Sequence, residues 1–242
     1  MKKDVLKNKN CLITGASGGL GREISKLLVN QSCNLFLTST NEAKLSNLKK
    51  ELELINSNNV KLSYCAGDIS KVNDISEIIK NVRNEFVHID ILINCAGVFL
   101  IKSLEDSMYE DLENCFSINV RAPFLLSKEF SNDMIKNRWG RIINIGSSSS
   151  YQGFLNGSIY VASKFAILGI SRTLHDELKE YGVRTCCISP SSIKTEMSKL
   201  SKDQDYSTFL DPEEVAEFVI FQTMFDDEMV VEESRLNRMF IR

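Results

Sequence analysis

Short apolar runs alternate with longer amphipathic segments from one end of the chain to the other. Within the longer segments, apolar residues such as Leu20, Ile24 and Leu28 recur every three or four positions, which predicts helices with one buried face. The short runs predict buried strands. The predicted strands cover residues 11–14, 35–37, 60–65, 89–93, 141–145 and 183–188, and the predicted helices cover 20–30, 43–55, 72–86, 108–137, 158–181 and 212–225.

The alternation of strand and helix determines the expected fold class. It implies an α/β fold, namely a doubly wound parallel sheet of about seven strands flanked by helices on both faces. No linker, low-complexity tract or internal repeat interrupts the pattern, so a single domain over residues 1–242 is expected. Right-handed crossovers place the carboxyl ends of the strands along one edge, where ligands bind. Pro123 is expected to bend the helix predicted over 108–137.

Composition narrows the classes of function. The 242 residues are 43% hydrophobic and carry a net charge of −3, which disfavours nucleic-acid binding. With two histidines, no metal site is expected. Seven cysteines without a Cys-x-x-Cys pair indicate thiols in a reducing compartment. The start of the chain has no signal-peptide pattern, and no apolar run reaches the roughly 18 residues of a membrane span. A cytoplasmic protein without membrane contact is therefore expected.

Three glycines, Gly15, Gly19 and Gly21, lie between the first predicted strand and the first predicted helix. Glycine permits a tight turn and lets backbone N–H groups approach a phosphate, while the helix amino terminus adds partial positive charge. Strand, turn and helix in this order predict a loop that binds the pyrophosphate of a dinucleotide. The alternative is a glycine-rich connection that binds nothing.

Tyr160 and Lys164 lie four residues apart and therefore share one face of the helix predicted over 158–181. A phenol beside an ammonium can act as an acid or a base, because the positive charge favours the phenolate. Ser147, thirteen residues before the tyrosine, can hydrogen-bond the oxygen of a substrate. Ser148 is the second choice in that run of serines. The alternative for the tyrosine and the lysine is a surface pair on an amphipathic helix.

The spacing Thr14-Gly-x-x-x-Gly-x-Gly, together with Tyr-x-x-x-Lys, resembles the short-chain dehydrogenase/reductase family. Further segments resemble that family in the same order along the chain. They are Gly-Asp-Ile-Ser at 67–70, Asn-Cys-Ala-Gly at 94–97, Ile-Asn-Val at 118–120 and Ser-Pro-Ser-Ser-Ile-Lys-Thr at 189–195. Cys95 and Ser191 depart from the asparagine and the glycine of the family. The resemblance implies a Rossmann-like fold and an NAD(P)(H)-dependent oxidoreductase.

The resemblance also implies roles for individual residues. The implied catalytic residues are Asn119, which holds a relay water, Ser147, Tyr160, and Lys164, which also binds ribose. The implied cofactor contacts are Gly15, Ser17, Gly19, Leu20, Gly21, Thr40, Asp68, Ile69, Asn94, Ala96, Gly97, Tyr160, Lys164, Pro190, Ile193 and Thr195. Three of these residues have local alternatives: Asp68 as a helix cap, Asn94 as a turn residue and Asn119 as a polar residue satisfied within its helix.

The end of the second predicted strand bears on the choice of cofactor. An acidic residue there selects NAD, whereas basic residues accommodate the 2′-phosphate of NADP. The chain reads Thr38-Ser39-Thr40-Asn41 at this point, with neither an acid nor a base. Because no carboxylate repels a phosphate that Ser17 could also contact, NADP(H) is favoured over NAD(H).

Within the family, the chain most resembles 3-oxoacyl-[acyl-carrier-protein] reductases, so a 3-oxoacyl thioester is the first expected substrate. The tail after residue 229 lacks the Asp-Gly-Gly ending of those relatives, which leaves a hydroxy-acid or sugar-pathway oxidoreductase as the alternative. A non-catalytic dinucleotide-binding protein is a remote alternative. A substrate lid is expected over about 191–210, and Tyr151, Phe154 and Leu155 are expected either to line the pocket or to pack within their loop.

The resemblance further implies a homotetramer or homodimer that pairs the helices bearing Asn119 and Tyr160. Four residues are candidates for that surface, with core packing as the alternative for each: Cys115, Phe116, Phe124 and Phe130.

Overall fold

The computed structural model describes residues 4–200 and 204–239. Residues 1–3, 201–203 and 240–242, which the predicted domain, lid and tail include, lie outside the described residues. The strands are β1 (Asn10–Thr14), β2 (Asn34–Ser39), β3 (Leu62–Ala66), β4 (Ile91–Asn94), β5 (Gly140–Ile145), β6 (Val183–Pro190) and β7 (Glu233–Leu236). The helices are α1 (Gly19–Asn30), α2 (Glu42–Ile55), α3 (Val72–Glu85), α4 (Tyr109–Phe116), α5 (Ala122–Asn137), α6 (Ser158–Leu178) and α7 (Pro212–Thr223).

The described strands form one parallel sheet in the order β3-β2-β1-β4-β5-β6-β7. The predicted doubly wound α/β fold is therefore confirmed. The chain runs outward from β1 to β2 and β3, and then crosses back to β4 on the other side of β1. This reversal opens a crevice at the carboxyl ends of β1 and β4, and ligands bind at such crevices in open α/β sheets.

Neighbouring residues of each central strand supply two separate cores, one on each face of the sheet. Ile13 packs in a core with residues of α1, α2 and α7, whereas Leu12 packs in a core with residues of α3 and α5. Because both faces are covered, the strands are continuous apolar runs and not alternating patterns. That is why the hydrophobic pattern locates them.

The long helix predicted over 108–137 is interrupted in its middle. α4 gives way to a π-helical turn at Ser117–Arg121, and α5 follows with Pro123 in its first turn. Proline lacks an N–H, so it cannot donate to the carbonyl of Asn119 four residues earlier, as an α-helix requires. The bend expected at the proline is thus a wider turn that contains Asn119.

The hydrophobic pattern does not locate β7. The strand reads Glu-Ser-Arg-Leu, pairs with the end of β6, and has no fully buried side chain. An edge strand is paired on one side only and contributes little to a core, so its sequence need not be apolar.

Candidate active site

The turn after β1 requires glycine at position 15. Gly15 has a φ of +65°, and a Cβ there would lie 2.7 Å from the Cα of Ala96, just after β4. The N–H of Ala96 also donates to the Oγ1 of Thr14, with a donor–acceptor distance of 3.2 Å. The ends of β1 and β4 are therefore in direct contact at the floor of the crevice, and a side chain at position 15 does not fit.

The amino terminus of α1 has the features of an anion site. Gly18, which precedes the helix, has no side chain that could cap the free N–H groups. A Cβ on Gly21 would lie 2.3 Å from the carbonyl oxygen of Gly15, so the helix packs directly on the turn. The side chain of Leu20 is buried, so a ligand could contact this residue only through its backbone. The uncapped N–H groups and the close approach fit the pyrophosphate of a dinucleotide.

The segment after β6 lies over the glycine loop. A Cβ on Gly19 would lie 2.8 Å from the Cγ2 of Thr195, whose own N–H donates to the carbonyl of Ile193. Pro190 is the last residue of β6. These three predicted cofactor contacts therefore lie beside the same crevice as the glycines.

Hydroxyl groups meet at the β2 end of the crevice. The Oγ atoms of Ser17 and Ser39 lie 2.8 Å apart, and Thr40, the next residue, is exposed. Asn41 caps α2 by accepting from the N–H of Lys44. A ribose or phosphate at this end would thus meet neutral hydrogen-bonding groups.

Asp68 caps the turn before α3 and not the helix itself, because the amino terminus of α3 at Lys71 has no side-chain cap. The carboxylate accepts from the N–H of Ser70 at 3.0 Å and lies 3.6 Å from the ammonium of Lys71. A hydrogen bond from the Ser70 hydroxyl is the main cause that lowers the pKa of Asp68, and the bond from the Ser70 N–H lowers it further. Ile69 is buried, so only its backbone is free for a ligand. Adenine contact by these two residues stays a prediction.

Asn94 ends β4, and its amide joins strands rather than shaping a turn. It donates to the Oδ1 of Asn144 in β5 at 2.7 Å, and Asn144 donates to Ser171 in α6 at 2.9 Å. The Oδ1 of Asn94 is buried without a hydrogen-bond partner among the described residues. The turn-residue alternative is therefore wrong, and contact with a cofactor stays a prediction.

Tyr160 and Lys164 are both buried, which excludes the surface-pair alternative. The phenol is 7% exposed, and burial raises the pKa of Tyr160 to about 12, against the lowering effect of a hydrogen bond with Ser147. The ammonium lies 5.8 Å from the centre of the phenol ring. The expected bias toward phenolate is thus outweighed by the loss of water around the ring. The serine whose hydrogen bond acts on the phenol is Ser147, the first choice of the two.

The ammonium of Lys164 donates to the carbonyl of Ile145 at the end of β5, at 3.0 Å. Burial lowers the pKa of Lys164. A Cβ on Gly97 would lie 3.7 Å from this ammonium and 3.3 Å from the Oδ1 of Asn119, so the glycine keeps the space beside both groups open. An ammonium has three donors, which leaves two for the hydroxyls of a ligand.

The side chain of Asn119 bonds to partners both within and outside its own helical segment, and the contact within it is from the amide to the Sγ of Cys115 in α4, at 3.4 Å. Its Oδ1 accepts from the N–H of Val98 at 2.9 Å, and its amide donates to the carbonyl of Val98 at 3.0 Å and to the hydroxyl of Ser163 at 3.0 Å. These bonds join the π-helical turn to the loop after β4 and to α6. A relay water at this residue stays a prediction.

An aromatic group covers Tyr160. The ring of Phe99 meets the tyrosine ring edge-on with 4.8 Å between centroids, and Phe154 lies 6.3 Å from Tyr160 and 6.0 Å from Phe99. Phe154 thus lines the site, whereas Leu155 points its side chain into solvent. Sequence reasoning missed Phe99, because a single aromatic residue in a loop gives no periodic signal.

The chain after β7 forms hydrogen bonds with the predicted lid over 191–210. The guanidinium of Arg238 donates to the Oε1 of Gln204 at 2.8 Å and to the Oγ1 of Thr208 at 3.1 Å, and it lies 5.0 Å from the ring centre of Phe209. The N–H of Arg238 donates to the Oγ of Ser191. The tail therefore contacts both ends of the segment expected to cover a substrate.

Two further observations concern the described part of the chain. No group of three His, Cys, Asp or Glu side chains there is arranged to hold a metal ion. No helix within 4–200 and 204–239 combines the length and apolar character needed to cross a bilayer.

Comparison with known proteins finds relatives of this chain. The family model described as short chain dehydrogenase matches residues 9–205. An uncharacterized oxidoreductase of Staphylococcus saprophyticus is 31% identical over 89% of this chain and 91% of its own, and carbonyl reductase family member 4 of Xenopus tropicalis is 30% identical over 88% and 90%. The solved alcohol dehydrogenase of Thermococcus sibiricus, complexed with 5-hydroxy-NADP, is 25% identical, with a TM-score of 0.87 over 98% of this chain and 99% of its own.

The burial of Tyr160 predicts its ionisation in solution. Because the pKa of Tyr160 is raised to about 12, the difference between the phenolate absorbance of the wild type and that of Tyr160→Phe should stay near zero up to about pH 11. Ser147→Ala should move the ionisation to still higher pH, because the hydrogen bond that lowers the pKa is lost. A phenolate difference signal with a midpoint at or below pH 10, in protein that circular dichroism shows to be folded, would contradict this prediction.

Proposed function

The chain belongs to the short-chain dehydrogenase family and is an NAD(P)-dependent oxidoreductase, and we propose that it interconverts a ketone and a secondary alcohol with NADP(H) and with Tyr160 as proton donor and acceptor. The observation that carries this proposal is the contact between the Ser147 hydroxyl and the buried phenol of Tyr160, with the ammonium of Lys164 on the same helix face.

The residues divide the work of ketone reduction among them. When bound, the nicotinamide supplies the hydride that forms the new C–H bond. Tyr160 gives its proton to the carbonyl oxygen, so that an O–H bond forms as the C=O bond becomes single. Ser147 hydrogen-bonds the same oxygen and stabilises its developing negative charge. Burial keeps Tyr160 protonated at neutral pH, which suits a proton donor. Lys164 holds ribose hydroxyls with the donors that Ile145 does not use.

We propose a 3-oxoacyl thioester as the substrate. The Ile145-Gly146-Ser147 segment resembles that of the acyl-carrier-protein reductases, and the phenyl rings beside Tyr160 suit an uncharged chain. A 3-hydroxy or 3-oxo acid is the second candidate, because of Arg235. This exposed guanidinium lies 4.4 Å from the ring centre of Tyr151 and opposite Ser189 at the end of β6, where it could meet a carboxylate.

Replacement of the phenol tests the proposed reaction. Tyr160→Phe removes the proton donor and keeps the ring, so the rate of NADPH oxidation with a 3-oxobutanoyl thioester should fall roughly 100-fold or more. The affinity for NADPH, measured by fluorescence titration, should be unchanged. Tyr181→Phe, the same change at an exposed tyrosine beyond α6, is the matched control and should keep full activity.

Two outcomes of this experiment would change the assignment. Normal turnover by Tyr160→Phe would remove the proposed mechanism. Turnover of 3-oxobutanoate but not of its thioester, lost in Arg235→Leu, would replace the thioester with the acid.

The preference for NADP(H) is tested at Thr40. A carboxylate in Thr40→Asp would face the 2′-phosphate, and about 1.4 kcal/mol of repulsion would weaken NADPH binding roughly tenfold. NADH binding should be unchanged or stronger. Thr40→Asn, which changes shape without adding charge, is the control. Tighter binding of NADH than of NADPH by the wild type would overturn the preference itself.

We propose that the chain forms a homo-oligomer through the face shared by α4, α5 and α6. Phe124 and Phe165 are 45% and 48% exposed on these helices, and Phe124 borders a groove of about 310 Å³. Cys115 and Phe130, which the sequence offered for this surface, are instead buried in the protein.

The proposed oligomer is tested by placing a charge on its proposed interface. Phe124→Asp should convert the oligomer to monomers in sedimentation velocity, because an unpaired carboxylate in a packed apolar interface is strongly unfavourable. Leu54→Asp places the same charge at an exposed position of α2 and should not change the sedimentation. A wild-type protein that sediments as a monomer would refute the proposed assembly.

A further inference from the structure

Two loops meet above the phenol of Tyr160. The loop after β4 carries Phe99, and the loop before α6 carries Phe154. The loops are joined by the N–H of Lys102, which donates to the carbonyl of Asn156 at 2.8 Å. The rings of Phe99 and Phe154 contact each other and the ring of Tyr160, so together they cover part of the phenol. A substrate carbonyl that approaches the phenol from the side of these rings must fit beneath them or displace them.

The position of the Phe154 ring depends on a glycine three residues later. A Cβ on Gly157 would lie 2.5 Å from the Cζ of Phe154 and 2.6 Å from its Cε2. Gly157 has an ordinary φ of −107°, so its backbone could accommodate any residue. The missing side chain therefore makes room for the phenyl ring. Phe154 is 39% exposed, so its ring has solvent to turn into.

The chemistry of the two loops limits what can bind there. Across 98–103 and 151–157, Lys102 is the only charged residue, and its ammonium is paired with the carboxylate of Asp111. The loops thus offer phenyl rings and no free charge to a group beside the carbonyl. A charged substituent packed against the two phenyl rings would lose its water without gaining a partner from either loop. The guanidinium of Arg235, which lies over Tyr151, belongs to β7 and not to these loops.

We propose that Phe99 and Phe154 form an aromatic cover that selects the substrate, and that Gly157 allows the cover to close over Tyr160. The cover admits ketones with a slender, uncharged substituent next to the carbonyl and excludes branched ones. This inference rests on the proposed function, because it concerns the access of a ketone to the phenol. Phe99 and Phe154 are specificity-determining residues and take no part in the proton transfer.

The first test measures the cover without any turnover. Tetranitromethane nitrates accessible tyrosines, and peptide mass spectrometry of the full chain reports the rate at Tyr160. Gly157→Ala should displace the phenyl ring, and Phe154→Ala should remove it, so both should raise this rate roughly tenfold. Gly153→Ala is the matched control, because a Cβ there meets no atom within 4 Å. Equal rates for Gly157→Ala and Gly153→Ala would refute the cover.

The second test measures selectivity with NADPH and two ketones, butan-2-one and the branched 3,3-dimethylbutan-2-one. The wild type and Gly153→Ala should favour the unbranched ketone in kcat/KM, and Gly157→Ala and Phe154→Ala should reduce that preference roughly tenfold. An unchanged ratio in both variants, with normal wild-type activity, would overturn the selective role. A wild type that reduces no ketone or oxoacyl thioester would remove the proposed function, while the nitration rates would still decide whether the cover exists.

Discussion

The buried ammonium of Lys164 is the constraint around which the site is arranged. A charge in a protein interior is strongly unfavourable unless hydrogen bonds replace its water. The carbonyl of Ile145 supplies one such bond, and Gly97 leaves the adjoining space open. The ionisable side chains that could stabilise the charge of the lysine are the thiols of Cys187, Cys115 and Cys95, and they could do so only as thiolates. Burial raises the pKa of each thiol, so they stay neutral and leave the positive charge uncompensated.

An uncompensated charge at the edge of a crevice has a direct consequence for binding. The ammonium has donors beyond the one that Ile145 accepts, which a ligand can use. The uncapped amino terminus of α1 adds partial positive charge to the same crevice. Burial favours the neutral form of both Tyr160 and Lys164. It raises the pKa of the phenol and lowers the pKa of the ammonium. In the proposed reaction, a protonated Tyr160 suits the donation of a proton, and the reverse direction would need an added positive charge to favour the phenolate.

The sequence predicts those parts of the site that the parallel strands bring to the same edge of the sheet. Parallel strands carry Gly15, Ser147 and the segment at 94–97 to one edge of the sheet, so motifs far apart in the chain could be expected to meet there. The contact between Phe99 and Tyr160 depends on the paths of two loops, and no periodic pattern encodes those paths. Asp68 shows another limit, because the same carboxylate can cap a turn and face a ligand, and the sequence is identical for both roles.

The tail shows how the sheet positions a segment that has little apolar character of its own. The register of β7 against β6 pairs Leu236 with Pro190, which brings the following residues beside the loop that leaves β6. Arg238 lies two residues beyond that pair, and its guanidinium holds Gln204 and Thr208. Movement of the 204–209 segment away from the tail would break both hydrogen bonds and separate the guanidinium from Phe209. A short polar edge strand thus couples the end of the chain to the segment predicted to act as a lid, through pairing that becomes visible only once the sheet is assembled.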